Sequence, residues 1–448
     1  MQNQLLETVQ KLHGQLYLVG GSVRDTMLGI PVKDADYIVT GIELPILRAQ
    51  LETWARVDMV GASFGVLKVT CQNQTVDLAL PRTERSTGIH HRDFLVSFDS
   101  SLPVEADLAR RDFTVNAMAL RLSDNRLIDP FNGTADLAQK ILRAVGTPTE
   151  RFLEDPLRML RLARFVAKLG FTPHADTTAA ARELAHLIPS IAPERVQNEL
   201  LGLLSSQHNL LLALRLLRDT GLLEQMLPEF APCVGFDQQN SHHHLRLDEH
   251  IFQTVQHAQN SSREVKLAAL LHDIGKPPTQ TFAADGMAHY YQHEARGADM
   301  SRLILSRLKF STEMLERVVK LVANHMRPPM DSSHKALRKF VNDLGTDWQA
   351  ALELRRADRL AHATETGWDA DAWLSLTLAR CASFPTDLQT FDERELAVTG
   401  LEIAQRFGLV GASIGTAKKA AARAIIEGDL DNQKTAILEW LQAWLKGD

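Results

Sequence analysis

The sequence predicts a multidomain α+β protein in which a small head of mixed sheet and helix, residues 1–148, precedes a mostly helical remainder. Three observations carry this expectation. Short apolar runs, LYLV at 16–19, YIV at 37–39, FGVLKVT at 64–70 and TVDLAL at 75–80, have the length and β-branched content of strands. In EDPLRMLRLARF, 154–165, arginines recur every three residues while Leu157, Leu160, Leu162 and Phe165 offer a packing face, the pattern of a helix. Beyond about residue 370 the chain reads as helical and carries no chemical motif. The expected divisions are a head at 1–148, a helical neck at 149–230, a third domain at 231–365 and a helical tail at 366–448.

Composition narrows the function classes. A chain of 448 residues has room for two to four domains and a substantial core, and 45% hydrophobic with 23% charged residues is ordinary for a globular protein. Cys71, Cys233 and Cys381 are odd in number and widely spaced, which points to neither a disulfide framework nor a CxxC metal site. The opening MQNQLLETVQKLHG lacks a basic region followed by an apolar core, and no apolar stretch approaches membrane-spanning length. No membrane association is therefore expected, and the cytoplasm is the expected compartment. A net charge of −6 argues against a uniformly basic nucleic-acid coat and leaves room for a local basic groove.

In LYLVGGSVRDTMLGIPVKDADYIV the first strand runs into Gly20-Gly21 and a short helix carrying Arg24. A glycine turn at a helix start presents backbone N–H groups to phosphate. Asp34 and Asp36 precede the next strand, and residues two apart on a strand project to one face. Paired carboxylates repel unless a cation lies between them, and hard oxygen donors suit Mg²⁺. Together these features suggest nucleotidyl transfer by metal-assisted in-line displacement. Asp77, in TVDLAL, would join the cluster by strand pairing; the plain alternative is a solvated strand edge.

Residues 44–57 read as a helix, and 82–106 as a long irregular loop. Arg110 and Arg111 would grip phosphate oxygens bidentately or else be exposed helix charges. Asp129 and the Asn132-Gly133 pair read as a structural turn with positive φ. Asp155-Pro156 opens the arginine-bearing helix; its Asp155 and Arg158 offer an acceptor for an exocyclic amino group and donors for ring acceptors of a base. Arg161 and Arg164 continue the stripe, which would otherwise be a solvated face. From Lys140 to Lys168 seven basic residues face three acidic ones, a patch suited to phosphate. Further on, His250, the adjacent His272-Asp273 of LLHDIGKP, His293, His325 and Asp358 are donors of the kind that hold divalent metal beside an apolar helix end. The run His242-His243-His244 lies nearby.

LVGGSVRDTMLG followed by KDADYIV, then RRDFTVNAMA and EDPLR, resembles the polymerase-beta-like nucleotidyltransferases that include tRNA CCA-adding enzymes and bacterial poly(A) polymerases. IAPERVQNELLGLL, 191–204, resembles the last of that family's blocks, and LLHDIGKP resembles HD metal-dependent phosphohydrolases. The resemblance implies a polymerase-beta-like head holding Mg²⁺ on Asp34 and Asp36, with three carboxylates in many such polymerases. It implies a triphosphate held by Gly21, Arg24 and Arg111, and a base-selecting protein template at Asp155 and Arg158, supported by Arg161 and Arg164. The loop at 82–106 would help switch selection from C to A. His250, His272, Asp273 and Asp358 would be the ligands of one transition ion such as Ni²⁺ or Mn²⁺, with His293 and His325 completing a second site.

The implied activity is template-independent addition of CCA to the 3′ end of tRNA from CTP and ATP, with a second phosphohydrolase activity in the HD domain. Poly(A) synthesis, and addition of CC or A alone, are the rivals within the superfamily. From other classes come an HD phosphatase or phosphodiesterase with a head that only binds RNA, and a nucleotide-sensing RNA-binding module. Asp34→Ala and Asp36→Ala should each abolish nucleotide incorporation in a primer-extension assay while filter-binding of tRNA persists, because RNA affinity comes from the basic neck. Near-normal turnover in either variant would remove that residue from the metal cluster.

Overall fold

The structure, a computed structural model, describes residues 1–32, 35–60, 66–86, 94–206, 208–239, 245–284, 286–328, 331–362 and 369–447. The chain divides into two compact units, Met1–Pro228 and Glu229–Asp448. That division falls beside the boundary expected at 230, whereas the one expected at 148 meets Pro148 at the start of the helix Pro148–Glu154.

The first unit is built on a seven-stranded sheet of order β3-β4-β5-β2-β1-β8-β9. Its strands are β1 (Gln15–Val19), β2 (Asp36–Thr40), β3 (Arg56–Val60), β4 (Val66–Cys71), β5 (Gln74–Ala79), β8 (Ala119–Arg121) and β9 (Arg126–Ile128). Separate from it, β6 (Arg82–Ser86) and β7 (Phe94–Phe98) form an antiparallel hairpin. The two-residue alternation of strand side chains covers both faces of the sheet. Leu16, Tyr37 and Val39 pack with Leu5, Val9, Leu47 and Leu51 on one side. Tyr17, Val19 and Ile38 pack with Val104, Leu108 and Val145 on the other. All the pairings in the sheet are antiparallel except β2 with β5, which sets Asp36 opposite Asp77 in register.

Two expectations are corrected. The helix expected over 44–57 ends at Leu51, and Arg56–Val60 is strand β3, because Val57 pairs with Val69 across the sheet and tertiary pairing overrides local propensity. Within the long loop expected over 82–106, Arg82–Ser86 pairs antiparallel with Phe94–Phe98 and the helix Val104–Ala109 begins, while residues 87–93 lie outside the described residues. The turn expected at Asn132-Gly133 has its positive φ at Asn132, +58°, and Gly133 is required for space: a Cβ there would lie 2.3 Å from the Thr114 carbonyl oxygen.

The second unit is helical, with a short hairpin, Thr281–Phe282 and Ala288–His289. Its C-terminal part has its own core, in which Phe391, Val398 and Ile403 pack on Ala417, Ala421, Ile437 and Leu441. Among the described residues no helix is long and apolar enough to cross a membrane. The turn after His272-Asp273 sits directly on the helix His293–Arg307: a Cβ at Gly275 would lie 2.2 Å from the His293 carbonyl oxygen and 2.6 Å from the Gly297 nitrogen. Both neighbours are backbone and cannot swing aside. Gly275→Ala should therefore destabilise this unit by about 1–3 kcal/mol in denaturant unfolding. Gly415→Ala, where a Cβ meets nothing within 4 Å inside the helix Ala412–Glu427, should leave stability equal or slightly higher.

Candidate active site and metal centre

In the first unit, the end of β1 turns through Gly20 into the helix Gly21–Met27. Gly20 has φ +67°, and a Cβ there would lie 2.2 Å from Arg111 Nη1, so only glycine lets the turn approach that guanidinium. The Asp36 amide donates to Ser22 Oγ at 3.3 Å, tying the start of β2 to this turn. Asp36 opens β2 and its register partner Asp77 lies on the neighbouring β5; both are exposed, and these oxygen donors fit a hard divalent cation. Asp34 lies outside the described residues.

The arginines are held by carboxylates and carbonyls. Arg24, 2% exposed, donates to Asp25 at 2.6 and 2.8 Å and to Asn116 Oδ1. Arg111 donates to Asp107 Oδ2 at 3.0 and 3.2 Å, while Arg110 binds the other oxygen of the same buried carboxylate. On the helix Leu157–Leu169, Arg161 donates to Asp112 Oδ2 at 2.6 and 2.8 Å, and Arg164 pairs with Glu199 at 2.8 Å. Burial favours protonation of Asp112, but Arg161 and the N–H donors of Asn116 and Phe113 override it and hold the carboxyl below its usual range. Burial pushes Glu199 up. The guanidinium carbons of Arg24, Arg161 and Arg164 stand 5.4, 5.5 and 5.2 Å from the Phe165 ring centre, so one aromatic ring packs three cations.

Asp155 joins two helices. Its Oδ1 accepts from the Leu157 amide at 3.1 Å, and Oδ2 accepts from Arg195 at 2.8 Å. Arg158 donates to the Arg151 carbonyl, Glu154 and the Arg110 carbonyl at 3.0, 2.7 and 2.8 Å. Those bonds use three of the five guanidinium N–H donors and fix its plane. The two side chains expected to read a base are thus rigidly mounted, with hydrogen-bonding capacity remaining on each.

Gly21, Arg24, Asp36, Arg111, Asp155, Arg158, Arg161 and Arg164 all line one cavity of about 1120 Å³. Nine Arg and Lys side chains line it against four Asp, an excess suited to a triphosphate. Sequence reasoning missed Asp112, Asn116, Arg195 and Glu199. The signal was present: Asp112 and Asn116 lie inside RRDFTVNAMA, and Arg195 and Glu199 are four apart on the helix Pro193–Leu204, hence on one face.

In the second unit the six residues singled out from the sequence form one buried cluster. Asp273 Oδ2 lies 3.4 and 3.2 Å from the Nε2 atoms of His250 and His272, and its Oδ1 lies 3.4 and 3.6 Å from those of His293 and His325. One carboxylate therefore bridges two triads. Asp358 Oδ1 stands 3.2 Å from His250 Nε2 and 3.6 Å from His272 Nε2. His272, His293 and His325 each donate Nδ1–H to a backbone carbonyl at 2.8, 2.8 and 2.7 Å, which fixes the tautomer and leaves the Nε2 lone pairs facing inward. Facing lone pairs, with Nε2 atoms 3.3 Å apart in His250–His272 and 3.2 Å apart in His293–His325, are repulsive unless a cation or proton lies between them. Burial works to lower the pKa of His272, yet Asp273 and Asp358 raise it to about 10, so its Nε2 holds a proton between the two histidines unless a cation displaces it, and both carboxyls sit well below their usual range. The donor set fits divalent metal. His362, near Asp358 and His250, and Lys276, 2.7 Å from Asp273 Oδ2, were not anticipated from the sequence. The triplet His242–His244 lies outside the described residues.

A head of this build and a helical domain with paired metal triads define a nucleotidyltransferase joined to an HD domain. Family models agree: a poly A polymerase head domain matches residues 16–143, a probable RNA and SrmB-binding site of polymerase A matches 170–234, and an HD domain matches 247–362. The multifunctional CCA protein of Burkholderia mallei is 34% identical over 370 residues, 80% of this chain and 84% of its own length. That of Herminiimonas arsenicoxydans is 37% identical over 318 residues, 69% and 73% of the two chains. Among solved structures, the Bacillus stearothermophilus CCA-adding enzyme in complex with CTP is 25% identical with a TM-score of 0.72, over 99% of this chain and 96% of that one. The Thermotoga maritima CCA-adding enzyme complexed with tRNA, 19% identical with a TM-score of 0.58 over 99% and 94%, shares the fold. The chain belongs to the multifunctional CCA proteins.

The bridging geometry makes a prediction about metal content. Asp273→Ala should remove metal from both triads, whereas His325→Ala should spare the His250–His272–Asp358 side. Elemental analysis of the purified proteins measures this, and equal metal loss in the two variants would refute the bridge.

Proposed function

We propose that this chain adds CCA to the 3′ end of tRNA from CTP and ATP without a nucleic-acid template. The observation that carries the reading is the single cavity shared by Asp36, the glycine turn and the Asp155–Arg158 pair, so one bound nucleotide would meet the carboxylates at its phosphates and the pair at its base. Asp36, with Asp34 and Asp77, would hold Mg²⁺, which when bound stabilises charge on the phosphoryl group under attack. The tRNA 3′-hydroxyl attacks the α-phosphorus and pyrophosphate leaves. Gly21 and Arg111 hold the triphosphate, with Arg24 lending its buried charge. Asp155 accepts from the exocyclic amino group that C and A both carry, and Arg158 donates to ring acceptors. Asp112 and Glu199 keep Arg161 and Arg164 aligned behind that pair.

The two triads support a second reading for the HD domain, a phosphohydrolase acting on phosphate esters such as 2′,3′-cyclic ends of RNA. Imidazole and carboxylate donors together favour an ion such as Ni²⁺ or Mn²⁺.

Incubating tRNA lacking its 3′ end with CTP, ATP or both, and resolving products to one nucleotide, tests the leading reading. Extension by CCA with both substrates is expected, and a lengthening A tract with ATP alone would identify a poly(A) polymerase instead. Asp155→Ala should raise misincorporation of U. Unchanged selectivity would reduce Asp155 to its cap and its bond with Arg195.

A further inference from the structure

Just before the cluster residue His293 in the chain stands a pair of aromatic rings, His289 and Tyr291, that neither centre uses. Tyr291 is 72% exposed, and its ring lies parallel to that of His289, with centroids 5.3 Å apart and planes 8° from each other. We propose that His289 and Tyr291 form a stacking platform for the terminal nucleobase of a single-stranded RNA end whose phosphate lies at the Asp273 cluster; this rests on the phosphohydrolase reading of that cluster.

The residue between the two rings is fastened to the cluster. Tyr290 donates its hydroxyl to the Gln238 carbonyl at 2.5 Å, and its ring meets Phe236 edge-on. Lys276 Nζ stands 5.7 Å from the Tyr290 ring centre and 2.7 Å from Asp273 Oδ2. The Tyr290 carbonyl accepts from His293 Nδ1 at 2.8 Å. The segment therefore cannot move without disturbing Asp273 and His293. His289 is pinned from the other side, since it pairs with Thr281 across the short hairpin. Tyr291 precedes His293 by two residues, so their Cα atoms are at most about 7 Å apart. That span suits a phosphate at the imidazoles and the adjoining base on the rings.

In this contact the faces of His289 and Tyr291, rather than their polar atoms, would meet the base. Every base has a π face, so such a platform accepts RNA ends of any sequence. The head would read base edges and the HD domain base faces.

The test compares adenosine 3′-monophosphate with glycerol phosphate on the full-length chain supplied with Mn²⁺. Loss of the platform in Tyr291→Ala should lower the ratio of kcat/KM for the two esters at least about five-fold, through KM, and Tyr291→Phe should preserve the ratio. An unchanged ratio in both Tyr291→Ala and His289→Ala overturns the platform. If the parent protein hydrolyses neither ester, the phosphohydrolase reading fails, and binding alone decides the platform. Saturation transfer from protein to the adenine protons, recorded with CTP saturating the head, should then weaken in Tyr291→Ala; equal transfer in the parent and this variant overturns it.

Discussion

The carboxylate of Asp112 is buried, and it takes two N–H bonds from Arg161 on one oxygen and bonds from the Phe113 amide and Asn116 on the other. This one group joins three parts of the catalytic half. Asn116 reaches on to Arg24 behind the glycine turn, Arg161 carries the helix that bears Arg158, and Phe113 packs edge-on against Phe165. A charge removed from water must be matched at hydrogen-bond range, and removing one partner of such a pair leaves the other exposed to the full penalty. The arginine stripe is therefore a fixed scaffold whose members line one cavity.

The second unit meets the same constraint differently. Asp273 and Asp358 are as deeply buried, but much of what surrounds them is imidazole in a tautomer that offers lone pairs. Such a shell is incomplete by itself and complete with metal. Lys276 and Arg355 supply fixed charge at one oxygen of each carboxylate, at 2.7 and 3.0 Å. The two units thus use buried carboxylates to opposite ends, one to lock cations of the chain and the other to recruit cations from outside it.

What was legible in the sequence follows from range. The strands at Leu16–Val19 and Tyr37–Val39 and the pair His272-Asp273 announce themselves within a few residues. Strand β3 did not, because Trp54-Ala55-Arg56-Val57 continues a helix equally well until Val69 is beside it. Likewise Arg161 was visible as a stripe member, but its partner Asp112 lies 49 positions away, and Arg195 lies 40 from Asp155. Sequence shows which side chains have the chemistry. Pairings across the fold decide which of them are committed to structure.

The single parallel contact of the sheet, β2 on β5, carries an implication for biosynthesis. Parallel neighbours need a long crossover, and residues 41–73 between these strands include β3 and β4 of the same sheet. Asp36 therefore leaves the ribosome well ahead of Asp77, and the two meet only after that excursion has closed, a slow non-local step. A chain stalled or cleaved within 41–73 carries Asp36 without Asp77, so the order of synthesis itself keeps an unfinished head from assembling this pair.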